Sequence, residues 1–217
     1  MLKIGIIGFG FMGRMHTRCW KARTDVRVVA ICDTNAGATQ GCGKGLGNIA
    51  GAEGDVDLRD VAIHTDPEEM FAREKLDAVS ITVPTHLHAA WTIKALNAGV
   101  HVLCEKPMAL TLADGRQMIA AAEESGKILQ IGHCIRFWPE YAKAKEIIES
   151  GVYGRVITAT FQRLSATART KQGSWFSNEE QSGGMVFDLH IHDTDFVQHL
   201  FGTPSSVCSH GALTPAG

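Results

Sequence analysis

None of the six cysteines, at positions 19, 32, 42, 104, 134 and 208, stands in a C-x-x-C pair. That argues against a zinc ribbon or a redox dithiol, and scattered thiols in a chain this long suit a reducing cytoplasm. Most are expected to serve as small buried hydrophobes. Runs of Lys and Arg are also missing, and the formal net charge is -2. Neither a nucleic acid nor a membrane surface is therefore an expected partner. No apolar run reaches the roughly 18 residues that suggest a spanning helix. The first 13 residues are apolar, but they lack a basic leading region and hold four glycines, a pattern unlike a signal peptide.

What is present is alternation. Residues 3–8 (KIGIIG), 26–33 (VRVVAICD), 78–84 (AVSITVP), 101–107 (HVLCEKP) and 127–133 (KILQIGH) read as strands. Residues 14–22, 86–99 and 112–126 read as helices, the last with Gly126 as its C-cap. Strands and helices in turn predict an α/β fold, a doubly wound parallel sheet with helices on both faces. Residues 35–57 should hold a further crossover helix, but their glycines, each costing about 1 kcal/mol in a helix, speak against it. The "GKG" at 43–45 is not a phosphate loop, since no Ser or Thr follows the lysine and no strong strand precedes it.

Beyond residue 133 the pattern changes. Residues 138–151 read as an amphipathic helix with Pro139 in its first turn. Residues 154–165 alternate as a long strand of an antiparallel sheet with one wet face. Residues 166–182 read as loop, 183–202 as a helix and 205–213 as another strand. The expected organisation is a first domain over 1–133, then over 134–217 the start of an α+β domain with an open, mostly antiparallel sheet.

The stretch Gly8-Phe9-Gly10-Phe11-Met12-Gly13 carries the spacing G-x-G-x-x-G between a strand and a helix. The first glycine permits a tight turn, the second lets backbone approach a pyrophosphate, and the third lets helix and strand pack closely. The helix N-terminus then offers N–H groups and a positive dipole end to the phosphates. An acid follows where a dinucleotide site needs one: Asp33 ends the second strand, 20 residues after Gly13. It can accept hydrogen bonds from the adenosine ribose and would repel a 2′-phosphate, so NAD is expected ahead of NADP.

Two further groups carry chemistry. Glu105 and Lys106 stand where the strand at 101–107 ends, the edge at which doubly wound sheets bind ligands. A lysine there can hold a substrate oxygen and assist proton transfer, or the two residues can form a solvated strand-end pair. Later, Asp188, His192, Asp195 and His199 share one face of the 183–202 helix. That segment has no Lys, Arg or Glu, so a buried helix with a polar stripe is expected. The stripe admits a metal site, core histidines paired to carboxylates, or a general base, His192, in a substrate cleft. The last reading is the one adopted, with no metal. His190 and Asp193 face elsewhere and receive no role.

Taken together, "GIIGFGFMGRMH", "ICDTN", "SITVPTHLHAAWTIKALNAGVHVLCEKPMAL", "IRFWPEY" and "GGMVFDLHIHDTD" resemble the Gfo/Idh/MocA oxidoreductases, from the first residues to about 202. The resemblance implies a Rossmann domain followed by an α+β domain, and NAD(P)-dependent hydride transfer on a sugar, cyclitol or related polyol. It implies catalytic roles for Lys106, Asp188 and His192, which would also contact substrate, as would Asp195. It puts Pro84, Thr85, His88, Glu105 and Lys106 on the nicotinamide side and suggests a cis Lys106–Pro107 bond. It also implies that the 217 residues stop where the second sheet has barely begun, a sheet expected to pair protomers into a homo-oligomer. Two alternatives stay open: a nucleotide- and sugar-binding regulatory protein on the same scaffold, because fold does not fix function, and an inactive fragment.

Overall fold

The computed structural model of the chain describes residues 1–39, 56–164 and 174–211. They fall into two compact units, one formed by residues 1–39, 56–132 and 174–188, the other by 133–164 with 189–211.

The first unit is a six-stranded parallel sheet. Its strands are β1 (Leu2–Ile7), β2 (Val26–Cys32), β3 (Ala62–His64), β4 (Ala78–Ile81), β5 (His101–Cys104) and β6 (Leu129–Ile131). Their order across the sheet is β3-β2-β1-β4-β5-β6. β1 sits at the centre, with Ile4 opposite Val28 on one side and Ala78 on the other. Strands covered on both faces are largely apolar, and so are β1 (LKIGII), β2 (VRVVAIC) and β4 (AVSI), with Lys3 and Arg27 exposed near the strand starts. The order reverses between β1 and β4, and ligands bind outside the C-terminal strand ends at such a reversal.

Helices cover both faces. Met70 of α2 (Pro67–Arg73), Ala95 and Leu96 of α3 (His88–Asn97) and Met118 and Ala121 of α4 (Leu112–Ser125) pack on Ile7, Val79, Ile81 and Val102. Trp20 of α1 (Phe11–Lys21) packs with Ile4, Ile6, Phe9 and Ile31. The helix ends follow from local chemistry. Asp66 caps α2, accepting from the Glu68 N–H at 2.9 Å, and Pro67 fills its first position. Thr111 caps α4, and Gly126 closes it in the left-handed region at φ 64°, as its sequence predicts.

β3 and α2 are additions to the sequence reading, and residues 36–39 form a single 3-10 turn. The "GKG" at 43–45 lies outside the described residues. Buried Cys32 and Cys104 behave as expected of small hydrophobes, their thiols pushed up to about 12 by burial. Cys19, Cys134 and Cys208 are exposed instead. Cys19 lies on the outer side of α1, and Cys208 lies beyond the last helix, its Sγ 3.3 Å from His210 Nε2.

In the second unit, α5 (Pro139–Ser150) and α7 (Ile191–Phe201) carry most of the order. Phe196 is buried, with Tyr141 edge-on at 4.8 Å between ring centroids and Phe161 at 6.4 Å. The strands expected at 154–165 and 205–213 do not form among the described residues. Residues 155–164 run without a strand partner, with Ile157 and Leu164 79% and 91% exposed. Alternation marks a segment with two faces, but a ladder needs a second strand alongside, and no described residue supplies one.

The 166–182 segment is not all loop either: it contains α6 (Glu179–Ser182), capped by the Asn178 side chain. Gly183 and Gly184 take positive φ (75° and 68°) and interrupt the expected 183–202 helix. A wide π-helical turn, Val186–His190, then leads into α7. Among the described residues no helix is long and apolar enough to cross a membrane.

Space around two glycines gives the first test. A Cβ at Gly13 would lie 2.0 Å from the Gly8 carbonyl oxygen, whereas a Cβ at Gly10 would meet nothing within 4 Å. Gly13→Ala is expected to destabilise the first unit by about 3 kcal/mol or more, since overpacking against backbone has no cheap relaxation. Gly10→Ala is expected to cost no more than about 1 kcal/mol. Urea unfolding of the three proteins checks the contrast.

Candidate functional site

The glycine turn links β1 to α1. Gly8 holds φ 89°, and a Cβ there would stand 2.8 Å from the Thr82 carbonyl oxygen, so only glycine fits. Thr82 Oγ1 donates to the Gly8 carbonyl at 2.7 Å, and Thr17 Oγ1 donates to the Gly13 carbonyl at 2.7 Å. The N-terminus of α1 has no side-chain cap and no acid in its first turn, which leaves its N–H groups and positive dipole end for an anion. Open space at Gly10 beside that terminus fits a pyrophosphate approaching backbone.

Phe9 contributes backbone only, because its side chain is buried. Phe11 and Met12 are half-buried in the first turn of α1. The Phe9 N–H donates to Asp33 Oδ2 at 2.7 Å, and the Asn35 N–H donates to Asp33 Oδ1 at 2.8 Å. A carboxylate has about four lone-pair sites, so Asp33 can brace the turn and still receive ribose hydroxyls. Arg14 was not foreseen. Its guanidinium lies 4.7 Å from the Phe9 ring centroid and donates to the Ala38 carbonyl at 2.6 Å.

The second cluster sits at the end of β5. Lys106 Nζ donates to Asp188 Oδ1 at 2.9 Å and to the Asp188 carbonyl at 2.6 Å. An ammonium has three N–H groups, so a third remains to meet a substrate oxygen. The Lys106–Pro107 bond is cis, as the resemblance suggests. Glu105 Oε2 accepts from the Lys106 N–H at 3.1 Å, and Oε1 lies 2.9 Å from His16 Nε2. Burial alone would raise the Glu105 pKa. The hydrogen bond and charge of His16 and the N–H and charge of Lys106 outweigh it and hold the carboxyl below its usual range. His16, three residues beyond Gly13, was missed by the sequence reading, although it closes the quoted "GFGFMGRMH" stretch.

Thr85 is buried in the turn after β4, where Pro84 leads into a 3-10 turn, Thr85–Leu87, beside α6. His88 is 1% exposed. Its Nδ1 lies 2.8 Å from the Pro107 carbonyl and its Nε2 3.0 Å from the Val83 carbonyl. Placed on the nicotinamide side by the resemblance, the ring is sunk among backbone, with each nitrogen facing a carbonyl oxygen.

Asp188 belongs to the first unit; His192, Asp195 and His199 belong to the second. Asp195 is gripped by Arg136, whose Nε donates to Oδ2 at 2.7 Å while Nη2 donates to Oδ1. His133 Nδ1 stands 3.6 Å from the same carboxylate. Asp193, given no role from sequence, is buried and paired with Arg163 through Nε at 2.7 Å and Nη2 at 2.8 Å. His192 is half-buried. Among the described residues no three His, Cys, Asp or Glu side chains converge to hold a metal.

A family profile described as "Oxidoreductase family, NAD-binding Rossmann fold" matches residues 2–133, and one for the "GFO/IDH/MocA C-terminal domain" matches 141–216. The chain belongs to the Gfo/Idh/MocA oxidoreductase family. Its first unit carries the family's NAD-binding Rossmann sheet. Among its relatives, a 2,7-anhydro-N-acetylneuraminate hydratase of Mediterraneibacter gnavus is 34% identical over 91% of this chain and 48% of its own length. A D-glucoside 3-dehydrogenase of Escherichia coli is 31% identical over 96% of this chain and 57% of its own. The chain thus spans about half the length of the curated relatives it matches. Among solved structures, the WlbA dehydrogenase of Bordetella pertussis, in complex with NADH and UDP-GlcNAcA, aligns with a TM-score of 0.73 at 26% identity. That alignment covers 93% of this chain and 58% of that one.

Two buried groups set an acid response. Burial lowers the His88 pKa below 6.5, against the pull of the Pro107 and Val83 carbonyls and of Glu105. On acidification the unfolded chain therefore protonates first, and stability that is complete above about pH 6.5 is lost as pH falls through the folded value. Glu105, also depressed, adds stability above about pH 4.5 that is lost below it. Urea unfolding from pH 7.5 to 4 is expected to show both limbs. His88→Asn should remove its share of the upper limb and leave the lower.

Proposed function

We propose that the chain is the cofactor-binding and catalytic part of an NAD-dependent dehydrogenase. It would oxidise a secondary alcohol of a sugar, cyclitol or related polyol, or run the reverse. The carrying observation is the Lys106 ammonium at the end of β5, held twice by Asp188 with one N–H to spare. Bound NAD supplies the acceptor for the hydrogen that leaves the carbon with its electron pair. Gly8 to Gly13 would hold its pyrophosphate and Asp33 its adenosine ribose, with Pro84, Thr85 and Glu105 towards the nicotinamide.

Lys106 binds the reacting hydroxyl oxygen and stabilises the negative charge that develops there. His192 takes the hydroxyl proton, so proton and hydride leave as the carbonyl forms. Asp188 holds the lysine aimed. Asp195, braced by Arg136, contacts the substrate. The substrate domain begins near residue 134, the complete protein works in the cytoplasm, and its second sheet pairs protomers into a homo-oligomer.

One relative favours a second reading. The 34% identical hydratase acts on an anhydro sugar, and the same lysine and histidine could serve a hydration. The regulatory alternative lacks such support, because a sensor needs no proton acceptor.

Sugars, cyclitols, polyols and anhydro sugars screened against the complete protein with NAD and NADP, read by NADH absorbance, test the proposal. Substrate-dependent NADH supports a dehydrogenase; product formation without net NADH supports the hydratase reading. With the substrate in hand, Lys106→Ala and His192→Ala should each lower kcat about 100-fold or more. Their losses should not add in the double variant, because both act on one proton. Near wild-type kcat in either single variant sinks the proton path.

Cofactor choice gives a separate check. Wild type should favour NAD in kcat/KM, and Asp33→Ser should narrow that preference by relieving repulsion of a 2′-phosphate. A wild type that prefers NADP removes Asp33 from the ribose.

A further inference from the structure

His88 touches two pieces of backbone that sequence motifs treat separately. Val83 leads from β4 into Pro84 and Thr85; Pro107 follows Lys106 at the end of β5. The ring bridges their carbonyls at 3.0 and 2.8 Å and is 1% exposed, so no water competes for either contact. Moving Pro107 moves the root of the Lys106 side chain. Moving Val83 moves the Pro84–Thr85 turn.

We infer that His88 is a positioning residue that sets the spacing between the Val83–Thr85 turn and the Lys106–Pro107 turn. Its role in NAD binding is exerted through that spacing and confined to the nicotinamide half of the cofactor. The inference rests on the NAD reading of the first unit. The sheet order makes it specific. β1, β2 and β3 form one mononucleotide half and β4, β5 and β6 the other. The glycine turn and Asp33 lie in the first half and both carbonyls held by His88 in the second. The ring works as a shaped donor: a neutral imidazole carries one N–H, which donates to one of the two carbonyls, while the ring's bulk fills the space between them. The charged groups felt at the ring are Glu105, which favours protonation, and Lys106, which opposes it.

Two ligands separate this role from plain packing. ADP-ribose carries the pyrophosphate and adenosine but no nicotinamide; NADH carries all three. Their dissociation constants are measured by calorimetry on wild type, His88→Asn and His88→Leu. Asparagine keeps a donor near the Nδ1 position, and leucine fills the space with none. His88→Leu should weaken NADH about tenfold, the typical effect of orphaning one buried carbonyl, and leave ADP-ribose within about twofold. His88→Asn should keep NADH within about threefold of wild type, because the Pro107 contact survives.

Parallel loss of both ligands in His88→Leu overturns the inference, since the residue would then only support the fold. Unchanged NADH binding in His88→Leu overturns it too, as does an asparagine variant no better than leucine. A wild type that binds neither ligand overturns the NAD reading and the inference with it, whereas ADP-ribose binding with unshifted NADH removes the inference alone.

Discussion

Nothing larger than a hydrogen fits at residue 13. A methyl group there would stand 2.0 Å from the Gly8 carbonyl oxygen, and that contact fixes how α1 leaves β1. With helix and strand pressed together, the bare N-terminus of α1 opens at the sheet edge beside empty space at Gly10. The same closeness lets the Phe9 N–H reach Asp33, just beyond β2, at 2.7 Å, so the glycine turn and Asp33 form one braced object. Thr82, just beyond β4, ties in from the other side through the Gly8 carbonyl.

A chain of charges carries this arrangement across the sheet. His16, on the helix that opens at the glycine turn, meets Glu105 at the end of β5. Glu105 receives the Lys106 backbone N–H, and the Lys106 ammonium rests on Asp188. An acid thus stands on each side of the lysine, one through its backbone and one through its side chain. Low exposure along the chain (12% for each of the His16 and Glu105 side chains) makes these contacts count for more than surface pairs would.

Sequence made the first unit readable wherever the cause is local. Strands covered on both faces announce themselves as apolar runs, which is how β1, β2, β4, β5 and β6 are found. Gly126 and Pro139 mark helix ends because their φ preferences act on one residue. β3 escapes: three residues, Ala62–His64, are too few to display a pattern. The strand expected at 154–165 fails for another reason. Alternation records which side of a segment is apolar, whereas a ladder depends on a partner elsewhere in the chain. The Gly183–Gly184 pair, read as the start of a helix, is a left-handed break instead. At the site, glycine spacing, Asp33 and Lys106 were legible as motifs. His16 on Glu105, Arg136 on Asp195 and the carbonyls around His88 were not, since each joins residues whose proximity only the fold creates.

The Lys106–Asp188 pair spans 82 residues of sequence, and this gives the molecule a history. The last strand of the sheet, β6, ends at Ile131. Asp188 follows 57 residues later, which is 188 less 131. At roughly 5–20 residues per second, a ribosome needs about 3–11 s to cover that distance. A nascent chain therefore holds every strand of its sheet, glycine turn and Asp33 included, before the acid that steadies its lysine has been made. The residues of the glycine turn and Asp33 are thus synthesised seconds before the acid that holds the Lys106 ammonium, so the two halves of the site are joined only late in the making of each molecule.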